Sequence, residues 1–466
     1  MATEGVSLSP VRGRTRIEVL DVLRGLAILG IFYMNIPYMG QNGSLFDTDI
    51  RRIGWTLADR STWAIIEVFL EGTQRGLLQF LFGAGAMVLT AKAMSADGPV
   101  AVADLFYRRN LWLLVFGLLD IFLICWVGDI LLVYALAALL IFPFRKLSAR
   151  ALIALGLLYA TATAAGLTTS GGVAEYRART ELVQDVEAAQ AKTIADVPLS
   201  TAEQETLEGW QKRLDRLDLT KPLDEETAEW VKGEADAHRA SPAGLMTWSW
   251  SMWNTIFIDK NLTFFFVLEA ICGMFLGMAL WKLGVIQGQR SRRFYAMLAI
   301  AAYAFGCGAR GIGVWEVLQF NPMPKTIWIT EEFARLAVSL GHVALINLLV
   351  QTRAGKAILS PFKAAGQTAF SLYILTSILG LWVLFAPWGL NLWGRFGWAE
   401  LAALATLVNV LLLVLANVWV RSFANGPLEW AWRSLAYWKL QPFRRESGKP
   451  SAPAEPGTEA NPPLPA

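Results

Sequence analysis

An acid and a base three residues apart, Asp21 and Arg24, stand inside the apolar stretch 16–37. On a helix that spacing puts both on one face. A charged side chain at the centre of a bilayer costs roughly 2.5–3.5 kcal/mol on insertion scales, so such residues pair or turn toward a polar interior and mark candidate sites. The same reasoning singles out Asp120, Asp129, Glu269, Arg310, Arg335 and His342, each in or beside an apolar stretch. Asp120 and His342 are the candidate general bases, since a buried carboxylate or a histidine can titrate near neutrality. Asp21 and Arg24 would serve the same centre, with Arg24 attracting an anionic group. Asp129, Glu269, Arg310 and Arg335 are the candidate substrate-binding residues. Plainer structural readings stand beside these. Asp129 can cap the next helix, Arg310 can pair with Glu316, Arg335 with Glu331 or Glu332, and His342 can be a hydrogen-bonded interior histidine.

Other chemistries find little support. The chain has two histidines, His238 and His342, and three cysteines, Cys125, Cys272 and Cys307, without a C-x-x-C. Neither a metal centre nor a disulfide framework is expected, and no cofactor is called for. His238 lies in a polar segment and reads as a solvated surface residue. G-C-G-A-R-G at 306–311 matches a dinucleotide fingerprint by letter, but it sits inside an apolar helix pattern. The fingerprint needs a strand before it and a helix opening after it, so close helix packing by its glycines is the better reading. No basic patch with a reader fold suggests nucleic acid.

The elements that must position these residues are helices in a bilayer. Mean hydropathy is +0.42, and 55% of residues are hydrophobic against 17% charged, which reads as a polytopic membrane protein. The expected fold is all-α: a transmembrane helix bundle of about ten spans with a helical extracytoplasmic insertion. The spans fall near 16–37, 74–93, 109–127, 128–144, 150–169, 262–282, 294–313, 331–350, 366–386 and 398–420. Residues 61–72 are apolar but short, as an interfacial helix is. The organisation is a tail (1–15), a first membrane half (16–170), an insertion (171–244), a second membrane half with an interfacial helix (245–440) and a disordered tail (441–466). Within the insertion, Ser200 and Glu203 read as a capping box, and Leu207, Trp210, Leu214 and Leu217 follow at helical spacing. Near the C-terminus, Gly426-Pro427 can open a helix on which Glu429 and Arg433 can pair. With both termini inside, Arg12, Arg14, Arg108, Arg109, Arg145, Lys146 and Arg292 gather on the cytoplasmic side against Arg51, Arg52, Lys325 and Arg395 outside, as the positive-inside rule asks.

The chain resembles the YeiB-like family of bacterial inner-membrane proteins. The likeness rests on D-V-L-R-G-L-A-I-L-G-I at 21–31, F-L-F-G-A-G at 80–85, W-V-G-D-I-L-L-V-Y at 126–134, G-M-F-L-G-M-A-L at 273–280 and F-A-N-G-P-L-E-W-A-W-R at 423–433. That family is in turn similar, chiefly in its first span, to membrane acyltransferases. The resemblance implies acyl transfer from a cytoplasmic thioester, with acyl-CoA as co-substrate, to an external sugar or glycan hydroxyl. It maps onto Asp21, Arg24, Gly25, Gly128 and Asp129. It departs at Asp120, where relatives often have histidine and a buried aspartate would stand in. Two other classes fit the same residues: a permease whose charged face lines a solute path, and a scaffold whose outer insertion binds a partner.

Overall fold

The first apolar stretch becomes α1 (Glu18–Gly40), the helix around which its neighbours gather. Glu18 and Asp21 in its first turn complement the positive end of the helix dipole. Glycine lets the partner helices in. A Cβ on Gly25 would overlap the carbonyl of Phe362, and one on Gly366 would overlap the carbonyl of Asp21. Hence α1 and α16 (Arg353–Gln367) cross backbone to backbone at the D-V-L-R-G motif. The structure, a computed structural model, describes residues 17–90, 100–168 and 171–445. The N-terminal tail, the end of the span expected at 74–93 with the residues to 99, and the C-terminal tail from 446 lie outside the described residues.

After α1 come α2 (Gly43–Phe46), capped by Asn42, and α3 (Leu57–Phe69), which opens on a Thr56–Asp59 capping box. Then follow α4 (Thr73–Thr90) and α5 (Val100–Leu119), the latter running into a π-helical turn, Asp120–Ile124. A tight reversal leads into α6 (Leu131–Ile141), and two short helices follow, α7 (Ala149–Gly156) and α8 (Leu158–Ala165). The expected insertion is helical: α9 (Gly172–Ile194), α10 (Thr201–Leu217), α11 (Glu225–Ala237) and α12 (Pro242–Trp253). The Ser200–Glu203 capping box is present, and Trp210 is buried. The second half holds α13 (Leu262–Lys282), α14 (Arg292–Val317), α15 (Ile327–Leu349), α16, α17 (Ala369–Ile378), α18 (Trp398–Ser422) and α19 (Pro427–Tyr437).

Among the described residues the fold is helical. By length and apolarity five helices can cross a membrane: α1, α13, α14, α15 and α18. A sixth is the pair α16–α17 with its π-helical extension to Leu384, bent by 76°. The sequence reading of about ten spans is therefore not established. The span expected at 366–386 is the second limb of that bent pair. The four other stretches are helical but shorter or more polar. α4 carries Gln74, Arg75 and Gln79, α5 begins among Asp104, Arg108 and Arg109, and α7–α8 break at Leu157. α4 and α13 meet through glycine: a Cβ on Gly83 or Gly277 would strike the facing backbone at Met274 or Phe80. Of the glycines at 306–311 only Gly306 is a close approach, against Ala334 and Val338; Gly308 and Gly311 face open space.

Candidate functional site

The W-V-G-D reversal builds one corner of the site. Cys125 ends the π-helical turn in a left-handed conformation, φ 69°. The Trp126 ring lies against Gly128, where a Cβ would come within 2.7 Å of it. Asp129 then caps α6, its Oδ2 accepting the Leu132 N–H at 2.8 Å. Its other oxygen accepts from the Tyr373 hydroxyl at 3.2 Å, and that hydroxyl accepts the Ile130 N–H at 3.1 Å. Asp129 is thus a cap and more than a cap. Asp120, fully buried, faces the Asp129 carboxyl, and the Ser377 hydroxyl approaches its Oδ2 at 3.4 Å. Helices α5, α6 and α17 together hold two carboxyls and a phenol.

Asp129 lines a cavity of about 610 Å³ at the C-terminal end of α1. On the opposite wall Arg75 donates to both oxygens of Glu269, at 3.1 and 3.3 Å. Gln79 donates to Glu269 at 2.8 Å, and Arg335 reaches it at 3.1 Å while holding Glu332 at 2.7 Å. Two arginines and two glutamates make a buried cluster without net charge. Each ion's desolvation is offset only because every partner is in place.

The insertion covers this cavity. Glu234 on α11 accepts the N–H groups of Gly43 and Ser44, at 2.9 and 3.0 Å, at the start of α2. His238, expected at the surface, is buried, and the difference has a plain cause. Its ring stacks on Trp393 at 4.5 Å, and its Nδ1 meets the Glu234 carbonyl at 2.9 Å, so packing on the membrane half hides it. Burial pushes the His238 imidazole below its ordinary value. Burial raises the Glu234 carboxyl, and it pushes Asp47 on the same cavity wall up to about 6.

A second cavity, about 410 Å³, opens at the N-terminal end of α1. Asp21 and Arg24 pair there at 3.0 Å, and Arg24 also donates to the Gly366 carbonyl at 3.3 Å. The Arg109 guanidinium lies over the Trp432 ring at 4.5 Å, and Arg433 joins the lining. The G-P-L-E-W glutamate reaches beyond its own helix. Glu429 accepts the N–H groups of Phe370 and Ser371, at 2.6 and 3.2 Å, and so caps α17, which carries Tyr373. The two cavities are back to back: Ile130 and Tyr134 line both. The Tyr134 hydroxyl is fixed by donating to the Arg75 carbonyl at 2.8 Å.

The eight candidate residues are not gathered in one hollow. Asp21 and Arg24 face the N-terminal cavity, and Asp129 and Glu269 the other. Asp120 stands behind Asp129, and Arg335 behind Glu269. Two lie elsewhere. Arg310 donates to the Glu71 carbonyl at 2.7 Å, while Glu316 accepts from Thr326, so the expected Arg310–Glu316 pair is not formed. His342 meets the Phe69 carbonyl through Nε2 at 2.9 Å and the Tyr303 hydroxyl through Nδ1 at 2.8 Å, away from both cavities. Among the described residues, no three His, Cys, Asp or Glu side chains are grouped as metal ligands. Arg75, Gln79, Tyr134, Tyr373 and His238 were not foreseen. R-G-L-L-Q at 75–79 carried a signal, since Arg75 and Gln79 share a helix face at i, i+4.

Residues 280–439 match the family model described as a protein of unknown function, DUF418. The chain is 28% identical over 452 residues to the uncharacterized protein YxaH of Bacillus subtilis (strain 168), covering 95% of this chain and 99% of the relative. It is 23% identical over 428 residues to the uncharacterized protein YeiB of Escherichia coli (strain K12), covering 90% and 96%. An uncharacterized 39.9 kDa protein in the amylase 3' region of Bacillus acidopullulyticus is 23% identical over 436 residues, covering 92% and 96%. No solved structure matches.

Proposed function

We propose that this chain, which belongs to the YeiB-like family and is a membrane protein, passes an acyl group between its two cavities. The donor is a cytoplasmic thioester such as acyl-CoA, and the acceptor is a sugar or glycan hydroxyl on the far side. The observation that carries the reading is the pair of hollows at opposite ends of α1, divided by Ile130 and Tyr134. Their linings suit different guests. Arg24, Arg109 and Arg433 favour an anionic, phosphate-bearing donor. Carboxylates and the rings of Trp126, Trp230 and Trp248 favour a polyhydroxylated acceptor in the other. In this reading the N-terminal cavity faces the cytoplasm of a bacterial inner membrane and both termini are cytoplasmic.

The reaction assigns each residue a role. Asp129, with Asp120 at its back, takes the acceptor's hydroxyl proton, and the two carboxyls hold that proton between them. The acceptor oxygen bonds to the thioester carbonyl carbon, the C–S bond breaks, and the thiolate leaves into the N-terminal cavity. Tyr373 keeps Asp129 in place. His342 and Arg310, away from both cavities, take no part in this scheme.

The test is radiolabelled acyl-CoA with the purified chain in liposomes and an envelope extract as acceptor. Label should move to the extract, and Asp129→Asn should slow it roughly 10²- to 10⁴-fold, the usual worth of a general base. No label moved by the wild type ends the reading. The same divided cavities favour one rival, a permease that opens to each side in turn. It predicts solute uptake without a covalent product.

A further inference from the structure

A third hollow, about 380 Å³, lies between α1, α4, α15 and α18, and His342 lines it. It is set at the middle of α1 and α18, between Leu26 and Tyr33 on the one and between Thr406 and Leu413 on the other, and it meets the first turns of α4 and the C-terminal part of α15. We infer that it binds an uncharged, hydroxyl-bearing membrane lipid.

The argument starts from two amides. Asn409 is buried; its Nδ2 donates to the Leu29 carbonyl at 2.9 Å, but its Oδ1 has no partner. Gln74 is 5% exposed and lines the same hollow, and its side-chain amide has no hydrogen-bond partner among the described residues. Gly30 makes room for it: a Cβ there would come within 2.8 Å of the Gln74 amide carbon. In water an unmet amide is ordinary. At bilayer depth there is no water to meet it, so a partner must come from protein or from a ligand.

The lining says which ligand. It includes no Asp, Glu, Lys or Arg, and its histidine, His342, has both ring nitrogens engaged by the Phe69 carbonyl and the Tyr303 hydroxyl, so a phosphate or ammonium headgroup would enter without a counter-charge. Asn409 Oδ1 needs a donor and the Gln74 NH2 needs an acceptor. A hydroxyl is both, whereas a carbonyl-only ligand would leave Asn409 unmet. The remaining wall, with Leu26, Leu29, Leu77 and Leu345, suits a hydrocarbon body. The hollow opens toward the bilayer: Val410 on its rim is 52% exposed, beside the outward-facing Leu407 and Leu411. A long-chain alcohol and a diacylglycerol share this chemistry. The inference does not depend on acyl transfer.

The experiment uses the full chain in nanodiscs with three diazirine-bearing probes: a long-chain alcohol, a diacylglycerol, and a phosphatidylglycerol with the same chains. At least one of the first two should label the peptides spanning Leu26–Tyr33 and Thr406–Leu413, and the phosphatidylglycerol should not; which one labels identifies the source. Loss of two hydrogen bonds in Gln74→Leu/Asn409→Leu should cut the labelling roughly tenfold. Should that variant not fold, excess unlabelled alcohol or diacylglycerol must abolish the wild-type labelling. Equal labelling by phosphatidylglycerol, label confined to Leu407 and Leu411, an unchanged double variant or failure of competition each overturns the inference.

Discussion

At the scale of single residues the strongest physical commitment is Arg335, nearly enclosed and shared by Glu269 and Glu332. Arg335→Gln leaves two buried carboxylates with one remaining arginine, Arg75, which reaches Glu269 but not Glu332. Breaking a buried ion pair from one side costs about 3–5 kcal/mol. The expected outcome is a much lower thermal unfolding midpoint in detergent, with part of the loss recovered when Glu332→Gln is added. No recovery in the double variant would mean that the cluster is not held by charge balance. Glu269, Arg335, Asp120 and Asp129 were legible because ionisable groups stand out in apolar stretches. Their assortment was not. Which face of a helix meets which neighbour depends on crossings such as Gly25 against α16, and no local pattern encodes a partner far along the chain. Arg75 was missed for a different reason. It lies at the polar start of α4, where a charge looks ordinary until α13 brings Glu269 against it.

Elements follow the same logic one level up. Helix existence was largely readable from hydropathy and caps, and the Thr56 and Ser200 boxes are ordinary sequence signals. Span count was less readable, because a helix that buries polar residues against neighbours no longer looks like a lipid-facing one. Contact between α1 and α16 needs bare backbone at Gly25 and Gly366, so Gly25→Ala should destabilise by about 1–3 kcal/mol or more. A substitution on the open-facing Gly308 should cost far less, and the two unfolding midpoints compare them directly. The docking of α11 should depend on pH through groups of opposite sign, His238 on one side and the raised carboxyls of Glu234 and Asp47 on the other. His238 is depressed below 6.5 by burial, so as pH falls through that value the undocked helix gains a proton that the docked one refuses, and docking weakens. Asp47 is pushed up to about 6 from 3.8, so between those values the docked state keeps a proton that the undocked carboxyl releases, and docking strengthens as pH falls. Amide exchange of α11, corrected for intrinsic rates and compared at about pH 7.5 and about pH 5.5, separates them. His238→Phe should gain protection on acidification relative to wild type, and Asp47→Asn should lose it. Parallel behaviour of all three proteins would remove both groups from the docking equilibrium.

For the molecule as a whole, the consequential feature is how little separates its two cavities. Ile130 and Tyr134 belong to both linings, and Tyr134 is pinned by a bond to the backbone of α4 rather than to a side chain. A wall that thin is unnecessary in a scaffold, where two unrelated hollows would serve nothing by meeting. It is useful to a protein that must let a small group pass while keeping bulk water from following. Tyr134→Ala removes the ring and joins the hollows, whereas Tyr134→Phe removes only the hydroxyl and keeps the wall. Truncating a buried aromatic costs about 3–5 kcal/mol, so Tyr134→Leu is the gentler companion if the alanine variant does not fold. In liposomes with acyl-CoA and no acceptor, the enlarged passage should admit water to the thioester. Hydrolysis of the donor should then rise in the alanine and leucine variants and stay at the wild-type level in Tyr134→Phe. In a permease the same substitutions would instead give a leak of trapped pH-sensitive dye gradients with the thioester untouched. If neither hydrolysis nor leak changes when the ring is removed, the partition divides nothing that matters. The two-sided reading of this membrane protein would then fail with it.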